Sequence, residues 1–136
     1  MNKKRNFKLN AYSLTEILIV LCIIGILIYI AVPDQTATIG KAKAIEAQNM
    51  LNMVYSLERN HFFRNGKYSE DMEEVGFQPE KTIEQGGMAV YSIEIIEASV
   101  NTFKARATSV QDLDGDGVFN VWEINEERIL KETVKD

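Results

Sequence analysis

The sequence predicts an α+β chain: a long N-terminal helix whose outer half packs on a small antiparallel β-sheet. Three observations predict it. Tyr12 to Val32 is an apolar run of 21 residues broken by a single charge, Glu16. Residues 34–65 repeat apolar side chains at spacings of three and four, the helical period. Residues 88–97 and 102–108 alternate instead, which is the strand period.

Charge is distributed unevenly over the 136 residues, whose net is −5. Residues 1–11 carry Lys3, Lys4, Arg5 and Lys8 and no acid, which leaves 11 basic and 20 acidic side chains in the remainder. An acidic body opposes broad binding to nucleic acid through phosphate contacts. Cys22 is the single cysteine, so no disulfide can form within the chain.

The apolar run is long enough to cross a bilayer as a helix. Basic residues before it stay on the cytoplasmic side, so the acidic body is expected outside. A removable secretory signal would have a shorter apolar core and a small-x-small site after it; Val32-Pro33-Asp34 offers none. A plain anchor would explain length and orientation but not Glu16, because a carboxylate within an apolar span is expensive and marks function by default.

Residues 11–33, AYSLTEILIVLCIIGILIYIAVP, resemble the N-terminus of type IV pilins and the related type II secretion pseudopilins. In that family a prepilin peptidase cuts before the apolar helix, after a small residue, and methylates the new amine. The resemblance places the cut between Ala11 and Tyr12, with Tyr12 methylated. Glu16 is then the fifth residue after the cut and Pro33 the twenty-second, where the family carries its glutamate and its helix-kinking proline. Gly25 lies in the I-I-G-I-L phrase typical of the family. The chain departs from it in having Ala11 for the commoner Gly and Tyr12 for the commoner Phe. The resemblance implies that Glu16 neutralises the N-terminal amine of a neighbouring subunit, and that the helix loosens between Gly25 and Pro33 on assembly.

Behind the span, Ala47, Met50, Val54, Leu57 and His61 form an apolar helix face over residues 34–65, widened by Leu51, Tyr55 and Phe62. Asn65-Gly66 stops the helix. Residues 66–87 connect it to the sheet, with Ser69 as the expected cap of a short turn, EDMEEV, closed by Gly76. In the sheet region, 88–136, Tyr91, Ile93 and Ile95 share one strand face, as do Phe103, Ala105 and Ala107 in the next strand, across a turn at Ala98–Asn101. Residues 119–130 fit strand or helix by pattern. The resemblance to pilins that end in a D-x-D-G-D loop and a V-W-x-I strand favours strand.

Residues 112–123, DLDGDGVFNVWE, match the ligand pattern of a calcium-binding EF-hand loop. Asp112, Asp114, Asp116, Val118 through its carbonyl, Asn120 and Glu123 occupy the ligand positions, and Gly117 the invariant turn. Oxygen ligands alone select a hard cation, and a flexible loop selects calcium. The preceding TFKARATSV reads as a strand, so the loop is expected between sheet elements. As a strand residue Glu123 would point away, which makes the three aspartates the firmer ligands.

No catalytic set is evident. His61, the single histidine, lies on the apolar helix face, and Cys22 lies in the span. There is no glycine-rich phosphate loop and no sign of a small-molecule substrate. The expected organisation is a leader at 1–11 removed by the peptidase, a transmembrane and assembly helix at 12–33, and a globular domain at 34–136. The expected function is a structural subunit of a type IV pilus-like filament. Its partners would be further copies and other pilins, the prepilin peptidase, an inner-membrane assembly platform, and the membrane before assembly. It would be an inner-membrane precursor first and an extracellular or periplasmic filament afterwards. A type II secretion pseudopilin is the alternative within the family, although the phrase D-P-W-G-N-P associated with its major member is absent. A calcium-binding adhesive or sensing module on a plain anchor is the alternative outside it.

Overall fold

A computed structural model describes residues 12–31 and 36–136. The chain divides into two compact units, Met1–Asp34 and Gln35–Asp136. In the first, helix α1 runs Leu14–Ala31. In the second, α2 (Thr36–Asn65) precedes a short α3 (Met72–Val75), a 3-10 turn at Ile83–Gln85, and strands β1 (Tyr91–Ala98), β2 (Phe103–Ser109), β3 (Val121–Asn125) and β4 (Leu130–Val134). This is the α+β architecture the sequence predicts.

α2 stops where glycine permits it: Gly66 takes the left-handed conformation and its N–H donates to Phe62 O at 2.7 Å. Its buried stripe is Ala44, Ala47, Leu51, Val54, Glu58 and His61, stepping by three and four as a helix packed along one side must. α3 is capped by Asp71, whose Oδ1 accepts from the N–H of Glu73 at 2.9 Å, and is closed by Gly76 at φ 82°. The expected cap, Ser69, instead accepts the N–H of Asp71 on its hydroxyl. Asp71 wins because it stands immediately before the first helical residue, where its carboxylate reaches the free N–H groups.

The four strands form an antiparallel meander in the order β1-β2-β3-β4. Tyr91 pairs with Ser109, Arg106 with Glu123, and Ile124 with Leu130. Strand alternation puts Phe103, Ala105 and Ala107 on the face beneath α2. Residues 119–130 thus hold a strand and the turn to β4, with Arg128 in that turn at φ 62°. The core is centred on Leu51, Val54, Phe77, Phe103 and Ile124, each 2% exposed or less. Phe103 packs its ring 4.9 Å from that of Tyr68 and 6.1 Å from that of Tyr55.

Candidate functional site

Two regions carry the residues singled out by the sequence, one in each unit. In the first, α1 buries none of its side chains, although its mean hydropathy is 2.7. Exposing so much apolar surface to water is unfavourable at roughly 25 cal/mol per Å², so this helix is built for lipid or for other apolar helices. Ser13 starts it, its carbonyl accepting from the N–H of Glu16 at 3.1 Å and its hydroxyl from the same N–H at 3.3 Å. Glu16 therefore sits in the first turn, where a negative charge complements the helix dipole. Tyr12 is exposed ahead of the helix. An added Cβ on Gly25 would meet nothing within 4 Å, so its open flank can admit a close neighbour. Ala11, Pro33 and the basic leader lie outside the described residues.

The second region is the loop between β2 and β3. Asp112 folds it: its Oδ1 accepts from the N–H of Gly115 at 2.6 Å and its Oδ2 from the N–H of Gly117 at 2.8 Å. Gly115 and Gly117 adopt φ of 80° and 85°, which side chains resist and glycine does not. Asp114 and Asp116 each accept the N–H two residues on, from Asp116 at 3.1 Å and Val118 at 2.7 Å. The bonds to the N–H groups of Gly117 and Gly115 hold the Asp112 carboxyl below the ordinary range. Asp114 stands above its ordinary value. The bond from the Asp116 N–H pulls it down, but some loss of hydration and the charges of Asp116, Asp136 and Asp112 outweigh that bond.

Carboxylate oxygens of Asp112, Asp114, Asp116 and Asp136 lie within 4.8 Å of one another. Asp136 arrives beside the loop after β4, where its Oδ2 accepts the N–H of Leu113 at 3.1 Å and its Oδ1 is buried without a hydrogen-bond partner. Leu113 packs against α2, since a Cβ on Gly40 would come 3.2 Å from its Cδ1. Lys43 adds a bond from α2 to Gln111.

The full EF-hand pattern is not assembled. Asn120 is buried in another network, its Oδ1 accepting from the Tyr91 hydroxyl at 2.9 Å and its Nδ2 donating to Glu132 Oε1 at 2.6 Å. Glu123 lies on β3 and accepts from Arg106 Nε at 2.9 Å and Nη2 at 2.8 Å. Val118 is exposed in the turn past Asp116, where its N–H donates to Asp116 Oδ1. The reason is local. Pairing with β2 begins at Val121, and an extended strand carries later side chains away from the loop, where a helix would have curled them back. Asp136 is the residue that sequence spacing missed; only the β3–β4 pairing brings it near, and no loop motif encodes that. His61 is 2% exposed in the core, its ring 3.1 Å from Asn65 Nδ2, and Cys22 is exposed on α1.

No family model matches the chain. The chain is 36% identical over 70 residues to the type IV major pilin protein PilA of Myxococcus xanthus (strain DK1622), a match over 52% of this chain and 32% of that protein. That likeness agrees with an apolar α1 followed by an α+β body. The chain spans about a third of the length of the pilin it matches. The chain has an unburied apolar helix and a carboxylate loop distant from that helix in sequence.

Proposed function

We propose that this chain is a structural subunit of a type IV pilus-like filament and not an enzyme. The observation that carries the reading is α1 itself: an unburied apolar helix with one carboxylate, Glu16, in its first turn. The named role of the Myxococcus relative as a major pilin supports a pilus over a secretion pseudopilin.

In this reading the precursor is held in the inner membrane by residues 12–33, with its acidic body outside. A prepilin peptidase cuts between Ala11 and Tyr12 and methylates Tyr12, and an assembly platform then extracts the subunit into the filament. The new amine is a cation in an apolar environment, and Glu16 of an adjacent subunit supplies the opposite charge. Each charge alone is costly to bury, and the pair offsets that cost. A subunit out of register leaves both unpaired, so the pair selects the docking position. Gly25 admits close helix approach, and Pro33 lacks a backbone donor. Intact-mass measurement of the chain co-expressed with a prepilin peptidase tests this. Loss of Met1–Ala11 with gain of one methyl group is expected, and a chain still beginning at Met1 overturns it.

Asp112, Asp114, Asp116 and Asp136 would hold a calcium ion. Ligand oxygens 2.3–2.6 Å from one ion lie at most about 5 Å apart, and the four carboxylates meet that limit at 4.8 Å. The buried, unpartnered Oδ1 of Asp136 supports the fit. Bound calcium would neutralise the mutual repulsion and tie the residues after β4 to the β2–β3 loop, beside the first turns of α2.

A further inference from the structure

The buried stripe of α2 contains one residue of the wrong kind. Glu58 is 0% exposed among Val54, His61 and the apolar sheet face. Its Oε2 accepts the N–H of Ser69 at 3.2 Å, while its Oε1 is buried with no partner. Ser69 holds a second carboxylate as well, its hydroxyl donating to Glu74 Oε2 on α3. Two acids from two helices therefore meet over one serine of the connecting segment.

Among the described residues neither forms a salt bridge. Arg59, the next residue of α2, sends its guanidinium to the Tyr68 hydroxyl at 3.4 Å and over the Phe63 ring at 4.8 Å. His61 is engaged with Asn65. The sheet face under α2 contributes Phe103, Ala105, Ala107 and Ile124, none of them charged. α3 contributes only the like charge of Glu74.

We propose that Glu58, Ser69 and Glu74 form a proton-operated clasp that fastens the connecting segment 66–76 to α2, closed when Glu58 is neutral and loosened when it ionises. A neutral carboxyl still accepts the Ser69 N–H through its carbonyl oxygen and carries no charge into the core. An ionised one is a buried anion facing a second anion, and it relaxes by letting the segment lift and water enter. Burial pushes the Glu58 carboxyl up from 4.5 to about 7; the Ser69 bond opposes this and the Glu74 charge adds to it. Once the clasp opens, the ordinary value returns. Closure is thus fully favoured below pH 4.5, weakens as pH rises to about 7, and is level above it. The closing equilibrium changes on the order of a hundredfold across that window. This device does not depend on the filament reading.

The test uses the full chain in detergent micelles. Carbon-detected NMR of the Glu58 carboxyl should give a midpoint near 7, and Glu74→Gln, a change at an exposed position, should lower it. Amide exchange corrected for intrinsic rates should rise on the order of a hundredfold in residues 66–76 between about pH 5 and 8.5, while β2 stays protected. Glu58→Gln should abolish the pH dependence. A midpoint in the ordinary carboxylate range overturns the proposal. So does an exchange increase spread equally over the sheet.

Discussion

Calcium should raise the melting temperature of the globular unit, and the rank order of variants tests which residues hold it. Extracellular oxygen-ligand sites bind calcium at about 10⁻⁴–10⁻³ M. At about 5 mM calcium, mass action then stabilises the folded unit by about 1–2.3 kcal/mol. For a unit spanning Gln35–Asp136, each kcal/mol moves the midpoint by about 4–8 °C, so a rise of roughly 5–15 °C is expected. Trp122 is the only tryptophan and lines the groove beside Leu113, Asp114 and Asp136, so its fluorescence reports melting at this end of the unit. Asp136→Asn should remove most of the calcium-dependent rise, because it deletes the one carboxylate brought in from beyond β4. Glu123→Gln should leave that rise intact and lower stability with and without calcium by about 0–1 kcal/mol, through its lost ion pair with Arg106. A calcium effect that survives Asp136→Asn and disappears in Glu123→Gln would refute the geometry and restore the twelve-residue loop. No rise at all would remove the metal.

Two further outcomes test the fold. Phe103→Ala deletes a ring that is 1% exposed and packed on Tyr68 and Tyr55; chemical denaturation should show a loss of about 3–5 kcal/mol. Gly87→Ala would drive its new Cβ onto the carbonyl of Lys81, so the turn that lets Ala89 N bond Lys81 O should be lost. Amide exchange at Ala89 should accelerate in that variant while β3 remains protected.

Helices and strands were legible in the chain because their signals are periodic and local. Ala47, Leu51 and Val54 announce the buried side of α2 by spacing alone, and Phe103, Ala105 and Ala107 announce a strand face in the same way. Pairing also fixed what pattern left open at 119–130, where Trp122 and Ile124 suit strand or helix until β2 offers a partner. Apart from the cap of α3, where Asp71 replaces Ser69, the misses are residues whose role depends on something distant in sequence. Glu58 falls four residues after Val54, and its position in the stripe takes it into the core. On α2 the Glu46 Oε1 accepts the N–H groups of Val90 and Tyr91 at 2.8 and 3.3 Å, ordering the entry to β1. In the loop, Asp112, Asp114 and Asp116 are neighbours in sequence and stay together in space, whereas Asn120 and Glu123 are drawn off by the Tyr91 hydroxyl and Arg106.

The meander leaves two open rims, the outer sides of β1 and β4. Unpaired rims invite sheets to stick to one another, and the hazard grows where many copies are held close together. Both rims here are spoiled as templates. β1 carries Glu94 and Glu97 and slips register between Ile95 and Glu97. β4 is five residues long, carries Lys131 and Glu132, and sits beside a second slip at Val121 and Trp122. Charge, brevity and broken register each make continuous edge-to-edge growth unfavourable. Crowded copies of this body can therefore stay separate folded units, leaving any ordered association to surfaces other than the sheet rims.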